Sequence, residues 1–265
     1  MMNIDDDAHE NETDETWSET LSIEDWLSVE NVRASFLTAF ENNENNYVHV
    51  DMSNAASALI TWSHVFNDLA LHFISFYRQI DEFENLHADD RFILIKNNLF
   101  STYPICRCFN LKSINDYSSY DGNDIVEKHR QLLILCGASN SNHQSFVNIV
   151  LNIVQLAEQD STLLILFLVV LIFTHRLSMN DDEPPLNDPL SVYRAQSRYT
   201  TLLWKYLVSK RGDVQGLRHF IQLFNIVLRI QSLTKIFQDF FRVRMMSPGT
   251  VESIAPLMQT VLHIS

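Results

Sequence analysis

Apolar residues recur at steps of three and four along most of this 265-residue chain, as helices that turn one face to a core require. The clearest run is Leu59, Trp62, Val65, Phe66, Leu69, Phe73, Phe76, Ile80 and Phe83. It predicts one helical spine over residues 58–83, and a helix of about 28 residues is about 42 Å long. Upstream, Ser22 with Asp25 three residues on is a capping-box-like start. The stripe Trp26, Leu27, Phe36, Leu37 and Phe40 comes next, and the polar run Asn42–Asn46 ends that helix. Further helices are predicted near 88–109, 125–136, 143–158 and 161–176. Asp188 before Pro189 reads as an N-cap with proline at the first helical position, opening a helix to about Lys210. A longer helix spans about 213–244. Ser247-Pro248-Gly249 then separates it from a short amphipathic helix near 251–263.

The remainder does not read as sheet. Only five glycines occur, and alternating Val/Ile/Thr strands bounded by glycine turns are absent. The polar, Tyr- and Ser-containing stretch 110–124 is a loop or at most a small β-hairpin, and Met179–Asp188 is a loop by composition. No internal repeat is present. The expected fold class is therefore all-α, with about ten to twelve helices in residues 21–265.

Charge divides the chain unevenly. The net charge is −14, and the first 32 residues carry 11 acids and no base. Residues 1–20 are expected to form an acidic disordered leader, whereas residues 33–265 are nearly neutral. With no basic face, a nucleic-acid interface is not expected. The three cysteines, Cys106, Cys108 and Cys136, build neither a disulfide framework nor a four-ligand zinc site, and fit a reducing compartment. The acidic start differs from a signal peptide, and the longest apolar run, Leu163–Phe173, is 11 residues where a bilayer needs about 20. It reads as a buried helix, and no membrane contact is expected.

Little in the sequence points to catalysis. There is no GxGxxG, GxxxxGK[ST], GxSxG or HExxH. His64 and His72 lie eight apart, too far for one metal. The pair Asp89-Asp90 reads as a helix start beside the positive dipole end. No enzyme activity, cofactor or metal is expected.

A set of spaced residues does resemble a known family. Residues 76–96 resemble the signature of the nuclear-receptor ligand-binding domain, F-A-K-x-x-x-x-F-x-x-L followed by D-Q-x-x-L-L-K. Phe76, Phe83, Leu86, Asp90, Leu94 and Lys96 match it in register, while Tyr77, Arg78 and Arg91 differ from it. Val192, Gln196, Leu203, Tyr206 and Leu207 resemble the family's ninth helix. Phe220, Leu223, Phe224, Val227, Phe240 and Phe241 resemble its tenth, and Ile254–Leu262 falls where its activation helix stands.

The resemblance implies a three-layer antiparallel helical sandwich, located in the nucleus and also in the cytoplasm, that recognises a small lipophilic ligand or is constitutively packed, and that regulates transcription. Within it, Val65, Phe66, Leu69, Phe73, Leu99, Tyr103 and Cys106 can line an apolar cavity or can themselves fill it. Arg107 can meet a ligand carboxylate. A second implied site is a groove for a coregulator Leu-x-x-Leu-Leu helix, with Arg78 and Lys96 as cations at one end and Leu257, Met258, Val261 and Leu262 as its apolar wall. Thr260 stands where the family has a glutamate, which implies a weakened or ligand-independent surface. The stripe Leu217, Phe220, Phe224 and Val227 can face a second receptor, in a homo- or heterodimer, or pack on the chain's own core. Residues 1–105 contain no cysteine, so the family's zinc-containing DNA-binding module is not expected there. The alternative function is a ligand-free dimerisation module that titrates complete receptors.

Overall fold

A computed structural model describes residues 21–40, 51–109, 125–135, 139–177, 183–245 and 251–263. The expected leader, residues 1–20, and the loop or hairpin at 110–124 lie outside the described residues, as does Cys136. Among the described residues all regular structure is helical, as the periodicity predicts. In chain order the helices are α1 (Ile23–Phe40), α2 (Ala55–Tyr77), α3 (Asp81–Glu84), α4 (Ala88–Asn98), α5 (Tyr103–Phe109), α6 (Ile125–Leu135), α7 (Asn140–Ala157) and α8 (Ser161–Ile172). A continuous stretch Pro189–Met245 breaks at Gly212 into α9 (189–211) and α10 (213–245), with α11 (Pro256–Val261) after it.

Local chemistry fixes several starts. Ser22 and Asp25 form a reciprocal capping box: the Ser22 N–H donates to the Asp25 carboxylate, and the Asp25 N–H to the Ser22 hydroxyl, each at 3.1 Å. Asn54, Asp160 and Asp188 cap α2, α8 and α9 by accepting the N–H three residues on.

Two expected helices divide. The spine ends at Tyr77 and not at Phe83, because Ile80 is extended (φ −94°, ψ 114°) and Asp81 and Glu82 begin the separate turn of α3. The helix expected over 88–109 becomes α4, a 3₁₀ turn over Leu99–Thr102, and α5. Pro104 lacks an N–H, so an unbroken α-helical ladder through this stretch is not available. The terminal segment likewise splits into a 3₁₀ turn, Val251–Ser253, and α11 with Pro256 at its start.

The apolar run 163–173 is the centre of the molecule. Leu163 to Val169, Leu171, Ile172 and Phe173 are all buried, as a helix apolar all round must be. Around α8 pack α1, α4, α5, α7 and the stretch Pro189–Met245. Its C-terminal carbonyls, which lack helical partners, are met by Asn98, whose amide donates to the Ile172 and Thr174 oxygens at 2.8 and 2.9 Å.

Gly212 adopts φ +73°, ψ 169°, a region essentially reserved for glycine. The chain reverses there: Trp204 meets Phe220 edge-on at 5.6 Å, and Gly216 lies so close to Val208 that a Cβ would approach its backbone to 3.2 Å. So α9 and α10 form an antiparallel hairpin with a one-residue corner. The stretch Pro189–Val243 includes a segment apolar enough to cross a membrane by length and composition alone. Within it lies the hairpin corner and, on α10, the exposed stripe described below.

Candidate recognition groove and aromatic interior

Of the expected apolar wall on α11, three side chains turn inward and only Leu257 keeps part of its surface exposed. Met258, Val261 and Leu262 are buried, while Leu257 is half-buried, and α11 packs against both α2 and α4. Gln238 of α10 locks the end of α11 by donating to the Val261 carbonyl at 3.3 Å. Gln259 donates back to the Val251 and Ile254 carbonyls at 3.0 and 2.9 Å, which fastens the turn before α11. Ile74 is half-buried on α2, one turn before Arg78. Phe92 of α4 is 55 % exposed, one turn before Lys96. Each apolar side chain thus shares a helix face with a cation.

The two expected cations differ in state. Arg78 is engaged: its guanidinium donates twice to the Glu84 carboxylate at 3.3 Å, and Glu84 also pairs with Arg91 at 2.6 Å. Those two arginines hold the Glu84 carboxyl below the usual range. For Lys96 no carboxylate partner occurs among the described residues. The Thr260 hydroxyl turns back to the Pro256 carbonyl at 3.1 Å, so no carboxylate stands at the α11 position where the family has one.

Beyond α11 lies His263, at φ +54°, with its Nε2 buried and without a partner among the described residues. Burial lowers its pKa to about 4, and the nearby Lys96, Arg242 and Lys235 push in the same direction. An unfolded histidine takes up its proton near 6.5, and folded His263 does so only near 4. Between those values the unfolded chain binds more protons, so stability is full above pH 6.5 and falls as pH drops towards 4. Discounted for solvent screening, the loss is roughly 1 kcal/mol, or about 2–4 °C in Tm. A melting series from pH 7 to 4.5 is expected to show that decline, and His263→Gln to flatten it.

Among the described residues, aromatic rings pack closely against one another in the interior. Trp62 lies flat on Phe241, with centroids 4.3 Å apart and planes 13° from parallel. Phe66 meets Phe100 and Tyr103 at 5.3 Å each, and Tyr103 meets Phe146 at 5.6 Å. The void bounded by Trp62, Phe100, Tyr103, Phe146, Phe237 and Phe241 measures about 10 Å³, at the threshold for one water.

Of the eight residues expected around a ligand, Tyr103 borders this void and Phe66 packs just behind it. Phe73 turns to Phe40 of α1 at 5.0 Å. Leu99 is fully buried. Val65 and Leu69 are half-buried on α2. The Cys106 thiol donates to the Thr102 carbonyl at 3.1 Å, and burial pushes its pKa well up. Arg107 lies over the Tyr103 ring at 5.9 Å. Phe66 and Phe73, two helical turns apart on α2, thus meet separate ring partners.

The expected dimer stripe also divides. Phe220 and Val227 pack inward, Phe220 against Trp204, whereas Leu217 and Phe224 are exposed. The exposed seam is Val214, Leu217, Ile221, Phe224 and Leu228, each at least 49 % exposed. Its 3-4-3-4 spacing is that of a helix partner's a and d positions. That spacing is legible in the sequence, but the core stripe interleaved with it masks which face turns outward. Lys235, Arg242 and His263 have no sequence signal, because what joins them is the meeting of α10 with α11.

The described residues define an all-α protein. No family model matches the chain, and no curated protein matches it.

Proposed function

We propose that residues 21–265 act as a nuclear-receptor-like ligand-binding domain, a three-layer helical sandwich regulating transcription through coregulator helices. The groove between α2, α4 and α11 takes a short Leu-rich helix, and the position of α11 sets whether the groove is formed. The observation that carries this reading is the seating of α11 against both α2 and α4, with Met258, Val261 and Leu262 inward and Lys96 beside its end. The 10 Å³ interior void favours constitutive packing over a ligand-set position. Thr260 removes a charge–dipole contact worth about 0.3–1 kcal/mol, and about 2 where partly buried, or up to roughly thirty-fold in affinity.

Fluorescence polarisation with a Leu-x-x-Leu-Leu peptide tests it. Expected are micromolar binding, weakening in Arg78→Ala and Lys96→Ala, and up to thirty-fold tightening in Thr260→Glu. Nanomolar binding indifferent to Arg78→Ala and Thr260→Ala, or no binding even to Thr260→Glu, overturns it.

The exposed seam on α10 favours a second reading, a ligand-free dimerisation module pairing with itself or with complete receptors. Sedimentation velocity is expected to show concentration-dependent dimers that Ile221→Asp weakens at least ten-fold, since a charge is then placed at the centre of an apolar contact. A monomer at every concentration, alone and mixed with a receptor ligand-binding domain, counts against it.

A further inference from the structure

The rim of the groove carries a charge pattern opposite to that of the whole chain. On α10, Lys235, Gln238 and Arg242 lie at i, i+3 and i+7 and therefore share one face. Gln238 bonds the Val261 carbonyl, so this face meets the end of α11. There Lys235 and Arg242 divide a single carboxylate, Asp239, at 3.6 and 2.9 Å. Lys96 approaches the same corner from α4, without a carboxylate among the described residues. Arg78, at the end of α2, and Arg91 of α4 divide Glu84. Lys96, Lys235 and Arg242 thus gather at the end of α11 beside one paired carboxylate, Asp239, in a chain whose net charge is −14. No acid on α11 offsets them, since Thr260 is uncharged.

We infer that the groove selects an acidic partner: an apolar helix of the Leu-x-x-Leu-Leu kind whose flanking residues are glutamate or aspartate. The apolar triplet sits over Ile74, Phe92 and Leu257, and the flanking carboxylates fall among Lys96, Lys235 and Arg242. This rests on the coregulator-groove reading above and adds the chemistry of the partner. A helix flanked by lysines meets the same cations and is repelled. The two cations on α10 do complement the C-terminal end of α11, but a six-residue helix with its last carbonyl already taken by Gln238 does not account for Lys96 as a third. The excess charge remains available to an incoming carboxylate.

The test uses three peptides with the same apolar core, flanked by glutamates, glutamines or lysines, and the full chain, read by fluorescence polarisation. At 50 mM salt the glutamate peptide is expected to bind at least ten-fold tighter than the lysine peptide. At 500 mM salt the gap is expected to narrow to about two-fold, because these charges are exposed and screened. Lys235→Glu with Arg242→Glu, which leaves Lys96 in place, is expected to reverse the order, with the glutamine peptide changing less than three-fold as a sign that the groove is intact. Equal binding of all three peptides at low salt, or a preference that survives the double variant unchanged, overturns the inference and leaves the groove standing. Failure of all three peptides to bind overturns the groove and the inference together.

Discussion

Asp90→Ala is expected to cost about 3–5 kcal/mol and to lower the melting temperature by on the order of 10 °C. Asp90 is fully buried in the first turn of α4, yet it is a carboxylate. Burial works against its ionisation, and hydrogen bonds overcome that: the N–H of Asn187 donates at 2.7 Å, the N–H of Asp188 at 2.8 Å and the Asn187 amide at 3.1 Å. The net result is a carboxyl held below the usual range. Alanine leaves two backbone donors stranded, and each stranded group costs about 1–3 kcal/mol. Asp90→Asn keeps one acceptor and is expected to lose about half as much. Differential scanning calorimetry of both variants decides it. An Asp90→Ala protein melting within 2 °C of the parent shows that the loop before α9 does not depend on this clasp.

Trp62→Ala is expected to cost about 3–5 kcal/mol and to turn the filled interior into a binding cavity. Trp62 is 5 % exposed and touches Phe66, Phe100, Tyr103 and Phe241, so truncation removes the centre of the aromatic packing. The residual hollow, on the order of 100 Å³ and lined by rings, has the size and dryness that admit benzene or indole. Saturating indole is therefore expected to raise the Tm of the variant by several degrees and that of the parent by less than 1 °C, since only a molecule that binds the folded state stabilises it. A lipophile that raises the parent's Tm strongly contradicts the closed interior and moves the control of α11 to a ligand.

The helical class, the break between α9 and α10 and the caps of α1 and α9 were legible in the sequence because each rests on local chemistry. Ser22 with Asp25 and Asp188 before Pro189 each act on neighbours within four residues, whereas the reversal at Gly212 comes from its positive φ. The groove was legible only in part. Arg78 and Lys96 stand out by spacing, but the bond from Arg78 to Glu84 depends on the chain turning at Ile80, which no periodicity marks. The joining of α10's cations with His263 depends on where α11 comes to rest. The interior was the least legible. A stripe of Phe66 and Phe73 reads the same whether the space beside it is open or closed. What closes it, Phe237 and Phe241, lies some 170 residues further along the chain.

The single-glycine corner at 212 leaves no slack between its two arms. Trp204 is matched to Phe220 and Val208 to Gly216, so α9 sets the rotation of α10 about its axis. Adding or deleting one residue in either arm would swing everything beyond it by about 100°. Lys235 and Gln238 would leave α11 and the outward seam would turn towards the core. The corner therefore works as a gauge: it passes the seating of α9 on the body of the protein to two distant surfaces at once.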